Sequence, residues 1–129
     1  MIRQNIILRF PEGKKKAVTL SYDDGVDQDQ HLIELLKQDN MKGTFNISSD
    51  WLSPEGTVYP EGETHRRMSV SQCIQCYDPK VCEVAAHAYT HPWGTTLPTA
   101  MMMEQVIEDR KKLEYMFHVI IKGMAYPYG

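Results

Sequence analysis

The sequence has no long apolar run, no block of basic residues and too few cysteines for a disulfide framework, and each lack removes a class of protein. No stretch approaches the roughly 18 consecutive apolar residues of a membrane-spanning helix. The opening MIRQNIILRF has a short apolar stretch and no small-residue cleavage site, so it does not read as a signal peptide and a cytoplasmic protein is expected. Lys and Arg number 14 against 17 Asp and Glu, a net charge of −3. Nucleic-acid binding needs clustered cations to displace counterions, and Lys14, Lys15 and Lys16 read instead as a solvated turn before a strand. Three cysteines, Cys73, Cys76 and Cys82, are an odd number that fits a reducing compartment. Cys73-Ile74-Gln75-Cys76 lacks the second pair of a zinc site, and its thiols are expected to act as small apolar side chains on one helix face.

What is present fits one α/β domain over residues 1–129, with an ordinary apolar content of 42%. Strand-forming runs occupy Asn5 to Phe10, Ala17 to Tyr22, Gly43 to Ile47, Val81 to Ala86 and part of Val119 to Tyr126. Helices are expected from about Gln30 to Gln38, capped by Asp27 or Asp29, and from Ser69 or Ser71 to Tyr77. The longest should run from a Thr99 cap to about His118. Its buried stripe would be Met103, Val106, Ile107, Leu113 and Phe117, with Glu108 and Lys112 paired on the wet side. Ser48 to Arg67, with Pro54, Gly56, Pro60 and Gly62, reads as a long loop with a small hairpin around Val58. Strands alternating with helices imply a parallel sheet with right-handed crossovers and chemistry at the carboxyl ends of the strands.

Three polar clusters fall at those ends: Asp23-Asp24-Gly25, His87 with His91 four residues on, and Tyr126-Pro127-Tyr128-Gly129. Two imidazoles one helical turn apart can converge on one ion, and with a carboxylate they make a mixed N/O triad that leaves positions open for water and substrate. A histidine pair in a polar loop is the plain alternative; the acidic pair at the same rim argues for the triad. Asp27 and Asp29 are assigned to a helix N-terminus. Of Asp23 and Asp24, one can bind a metal while the other takes a proton from an activated water. His31, His65 and His118 read as surface residues, Met101 to Met103 as helix packing, and Trp51 and Trp93 either as sugar platforms or as loop packing.

SYDDG (Ser21 to Gly25) resembles the Thr-Phe-Asp-Asp-Gly motif of the polysaccharide deacetylases, the NodB-type carbohydrate esterases. HAYTH (His87 to His91) is similar to their His-Ser/Thr-x-x-His motif and AYPYG (Ala125 to Gly129) to their Arg-x-Pro-Tyr motif, in the family's order. The resemblance implies a partial (β/α) barrel of about four parallel strands, the N-terminal part of a full barrel that has roughly eight strand-helix units. It implies metal-dependent hydrolysis of N- or O-acetyl groups on a sugar. Asp24, His87 and His91 would hold zinc or a similar divalent ion, Asp23 would be the base, and the Tyr128 N–H would stabilise the oxyanion. Three departures follow from the same comparison. Ala88 replaces a Ser/Thr that fixes the histidine loop, Ala125 stands where an Arg orients the base, and the family's general-acid His would lie beyond Gly129. Half a barrel leaves a strand edge unpaired, so a fragment or a second copy of the chain completing the barrel is expected. A non-catalytic metal- or carbohydrate-binding domain on the same fold is the alternative function. No nucleic acid or membrane is expected as a partner, and an acetylated carbohydrate is.

Overall fold

The computed structural model describes residues 9–129. The expected run from Asn5 to Phe10 lies mostly outside the described residues. Strands β1 (Ser21–Asp23), β2 (Gly43–Ile47) and β3 (Cys82–Ala86) form one parallel sheet in the order β1-β2-β3. Tyr22 stands opposite Phe45, which stands opposite Val84. Parallel strands cannot be joined by a tight turn. Accordingly α1 (Gln28–Gln38) links β1 to β2, and α2 (Val70–Cys76) lies between β2 and β3. The long α3 (Thr99–Phe117) follows and packs on β3.

The core forms where the apolar faces of these elements meet. Ile33 and Leu36 of α1, Phe45 and Ile47 of β2, Met68, Cys73 and Tyr77 around α2, Val84 and Ala86 of β3, and Leu113 and Met116 of α3 are buried together. Tyr22, Phe45, Tyr77 and Phe117 form a ladder of rings with centroids 5.6, 5.1 and 6.2 Å apart, tying the sheet to α3. Cys73 and Cys82 are buried here and Cys76 packs against them, as free thiols. Ser69 caps α2: its Oγ accepts from Gln72 N while Gln72 Oε1 accepts from Ser69 N, a reciprocal capping box.

Four expectations need correction. Of the expected α3 stripe, Leu113 is buried and Val106 and Phe117 are half-buried, but Met103 and Ile107 face solvent; Asp109 and Met116 are the other buried residues. A carboxyl at Asp109 sits inside the stripe, where apolarity alone does not point. The N-cap of α3 is Pro98 rather than Thr99, and Glu108 pairs with Lys111 at 2.7 Å while Lys112 reaches Asp50. No hairpin forms around Val58, which is fully exposed.

The last run lies parallel to β3 but joins it through a single bridge, Ala86 to Met124. Ala86 N donates to Gly123 O at 3.0 Å, and Ala125 N donates to Ala86 O at 2.9 Å. Gly123 permits this approach, because a Cβ there would meet the Ala85 Cβ at 3.3 Å. Pairing stops soon after, at Pro127, which has no N–H to give.

Candidate metal centre

The site is built where β1 and β3 run out at one rim of the sheet. Asp24 N donates to Asn46 O at 3.0 Å, the last rung between β1 and β2, and the chain then turns sharply with Asp24 at φ 78° and Gly25 at φ 64°. Aspartate is among the few side chains that visit the left-handed region readily. The turn directs the Asp24 carboxylate across the ends of the strands toward the histidine loop.

That loop is held from several sides. His87 N donates to Ile47 O at 3.1 Å and to Asp109 Oδ2 at 2.8 Å, and Ser48 Oγ donates to His87 O. His91 N closes a tight turn onto Ala88 O at 3.3 Å, with Ala88 at φ 62° and His91 at φ 53°. Gln105 of α3 accepts from Tyr89 N through its backbone and from Thr90 N through its side chain. Asp109 is fully buried and its other oxygen accepts from Ser49 N at 2.8 Å, so one carboxylate from α3 ties together the ends of β2 and β3. Burial holds its pKa above the usual carboxylate range, with both N–H bonds opposing.

Three donor atoms meet at this rim. The Nε2 atoms of His87 and His91 lie 3.6 and 3.3 Å from Asp24 Oδ1, and the ligand atoms of all three residues fall within 4.8 Å of one another. His87 Nδ1 is 3.0 Å from Ala125 O. A carbonyl can only accept, so Nδ1 carries a proton, and in the neutral tautomer this selects, Nε2 turns a lone pair toward Asp24. Asp24 Oδ1 is itself buried and without a hydrogen-bond partner. Lone pair facing lone pair in a buried spot is unfavourable unless a cation sits between them. Burial pulls the His91 pKa below its ordinary value, Asp24 opposing and His87 and Arg67 adding to it, which favours the neutral ring that binds metals. Two nitrogens and one oxygen suit zinc and related divalent ions, and a backbone carbonyl fixing the far side of an imidazole is the usual support for such a ligand. The residues therefore fit a divalent cation.

The remaining predicted residues surround this cluster. Asp23 is exposed beside it, and Asn46 Nδ2 donates to its Oδ1 at 2.7 Å. Asn46 is buried and also donates to Ser21 Oγ, so it holds the Asp23 carboxylate, a task that Ala125 has no side chain to perform. Tyr128 has φ 65°, its ring lying edge-on to His91 at 4.8 Å and stacked on Trp93 at 4.1 Å. Trp51 stacks on His91 at 4.1 Å, and the Arg67 guanidinium lies 3.4 Å above the opposite face of the indole. The indole thus packs the site. Trp93, Met102, Tyr126, Pro127 and Tyr128 line an adjacent cleft of about 340 Å³. A cleft of about 380 Å³ around Leu20, Gly43 and Cys82 lies at the opposite, amino ends of the strands.

His65 is exposed, as its loop position implies, but it also faces the cluster. Its Nε2 is 3.2 Å from Asp24 Oδ2. His31 and His118 are exposed, His31 beside Glu34. No local signal marks Asn46 or His65; for Asp109 the one available signal is its spacing of four from Leu113 on α3.

The sequence model of the family described as polysaccharide deacetylase matches residues 11–129. No curated protein matches the chain. Among solved structures, the Streptococcus pyogenes deacetylase PplD, in complex with acetate, is similar with a TM-score of 0.71 at 19% identity, over 89% of this chain and 47% of its own. IcaB from Ammonifex degensii gives 0.72 at 23% identity, over 95% of this chain and 53% of its own. BA3943 from Bacillus anthracis, a CE4 family pseudoenzyme, gives 0.67 at 22% identity, over 89% of this chain and 36% of its own. At these identities the likeness is one of fold, and the chain spans about half or less of each of these structures.

Proposed function

The chain belongs to the polysaccharide deacetylase family, and from that premise we propose that it serves metal-dependent removal of acetyl groups from N- or O-acetylated sugars. The observation that carries this reading is the convergence of Asp24, His87 and His91, with the carboxylate of Asp23 left free beside them. Zinc is the ion proposed, on the strength of the two-nitrogen, one-oxygen donor set. Bound by Asp24, His87 and His91, such an ion would supply Lewis acidity toward an acyl carbonyl and would lower the pKa of a water. Asp23 then acts as the base that accepts the proton of the attacking water. Asn46 anchors one oxygen of that carboxylate and leaves the other to take the proton. The Tyr128 N–H, at the mouth of the aromatic cleft, is placed in this reading to receive charge developing on the acyl oxygen. Acetate is the product such a hydrolysis releases, and acetate is what the Streptococcus pyogenes relative holds.

Two observations favour a second reading, a binding domain without turnover. Ala125 carries no side chain able to orient the base, and one similar fold is that of a pseudoenzyme. Acetate release from an acetylated chito-oligosaccharide, measured with zinc for the wild type and Asp23→Ala, separates the two. Turnover abolished by the substitution supports the hydrolase; bound zinc with no acetate from either protein supports the binding domain.

We further propose that a second copy can cover the open side of the sheet. A second apolar surface lies on α3 rather than on the sheet: the groove formed by Thr99, Met102, Met103, Val106, Ile107 and Tyr126, with Met103, Ile107 and Tyr126 about half exposed or more. Three free thiols fit a reducing, cytoplasmic setting. Among the described residues no helix is long and apolar enough to cross a membrane.

A further inference from the structure

The long connection between β2 and α2 returns past the Asp24 turn, and it does so at a fixed register. Val26 and Arg67 form an antiparallel bridge. Asp27 N donates to Arg66 O at 2.8 Å, and Met68 N donates to Gly25 O at 2.8 Å. The Arg66 guanidinium is paired with the Asp27 carboxylate at 2.6 Å. Gln28 Nε2 donates to Thr64 O, and His65 N donates to Glu63 Oε1. These contacts bracket His65 on both sides and set it against Asp24, with its Nε2 3.2 Å from Oδ2. The opposite oxygen, Oδ1, is the one that faces His87 and His91.

We propose that His65 is a positioning residue of the metal centre: its imidazole N–H donates to Asp24 Oδ2 and so commits Oδ1 to the ion. This rests on the reading of Asp24, His87 and His91 as the ligand set. The carboxylate is carried by a left-handed turn, with Asp24 at φ 78°, and its nearest side-chain nitrogen among the described residues is His65 Nε2. Without His65 it can rotate about its last bond, and both oxygens compete for the ion in several poses. His65 is not among the three residues whose ligand atoms converge, Asp24, His87 and His91. Loss of an outer partner of this kind usually weakens metal binding by about 10-fold to 100-fold.

The test uses the whole chain and zinc, with affinity read by competition against a chromophoric chelator and geometry read from the visible absorption of the cobalt-substituted protein. His65 is about half exposed, so His65→Ala should fold normally. The expected result is one zinc per chain in wild type and variant, with affinity in His65→Ala weaker by about 10-fold or more. His65→Gln, whose amide can also donate, should recover much of that loss, and His31→Ala should bind like wild type. The cobalt spectrum should keep its intensity and position in His65→Ala. Wild-type affinity in His65→Ala overturns the inference and leaves the ligand set intact. A collapsed cobalt spectrum overturns it differently, by making His65 a direct ligand. No saturable binding by the wild type overturns the ligand set and this inference together.

Discussion

The buried carboxyl of Asp29 should make the stability of this protein fall as the solution is brought to neutrality. Asp29 stands in the first turn of α1, 4% exposed, and Tyr77 Oη donates to its Oδ2 at 2.5 Å. Loss of hydration raises its pKa from 3.8 to about 6, the Tyr77 bond opposing and the nearby Asp24 and Asp27 charges adding. The folded chain therefore holds this proton more tightly than the unfolded chain. Stability from this source is complete below the unfolded pKa of 3.8 and is lost as the pH rises through about 6. Two pKa units correspond to about 3 kcal/mol in all, and to about 2 kcal/mol between roughly pH 4.5 and 7.5. Asn cannot ionise, so Asp29→Asn removes this dependence while keeping an acceptor for Tyr77. Urea unfolding at both pH values, followed by far-UV circular dichroism, measures the difference between wild type and variant and cancels the other titrating groups. The stability of wild type relative to Asp29→Asn should drop by about 2 kcal/mol on going to the higher pH. A difference that is flat, or that grows with pH, would refute the assignment of a proton to buried Asp29.

Asp109→Ala should destabilise the fold by about 2 to 4 kcal/mol in the same assay, because it leaves Ser49 N without an acceptor and His87 N with only the Ile47 carbonyl. Asn46→Ala should lower kcat for acetate release by roughly 10-fold to 100-fold with little change in KM, since it frees the Asp23 carboxylate without touching bound substrate. The thiols should be inert to Ellman's reagent in the native protein near pH 8 and react on unfolding, because burial pushes Cys73 and Cys82 up to about 12 and Cys76 to about 11. Rapid labelling of Cys73 in the native state would contradict this.

The features legible in the sequence are those whose cause is local. The strand from Gly43 to Ile47, the strand near Val81 to Ala86 and a helix opening at Ser69 or Ser71 follow from periodicity and from side chains a few residues apart. The convergence of Asp24, His87 and His91 was legible too, because parallel strands must end at one rim. Other features depend on partners far along the chain. His65 reaches Asp24 only because residues 64–68 lie against residues 25–28, and no local pattern announces that register. Asp109 reads as a surface charge until β2 and β3 end beside α3 and supply two backbone N–H groups. The inward face of α3 was legible at Val106, Leu113 and Phe117 but not at Met103 and Ile107, which are as apolar and yet exposed; only the packing of Leu113 and Met116 into the core decides between them.

Isothermal titration of zinc into the metal-stripped chain, repeated with Asp24→Ala and His91→Ala, bears most directly on the account. A single equivalent bound by the wild type, and its loss in both variants while their circular dichroism stays native, is the predicted result. Undiminished binding after either substitution, or no saturable binding to the wild type, would contradict it.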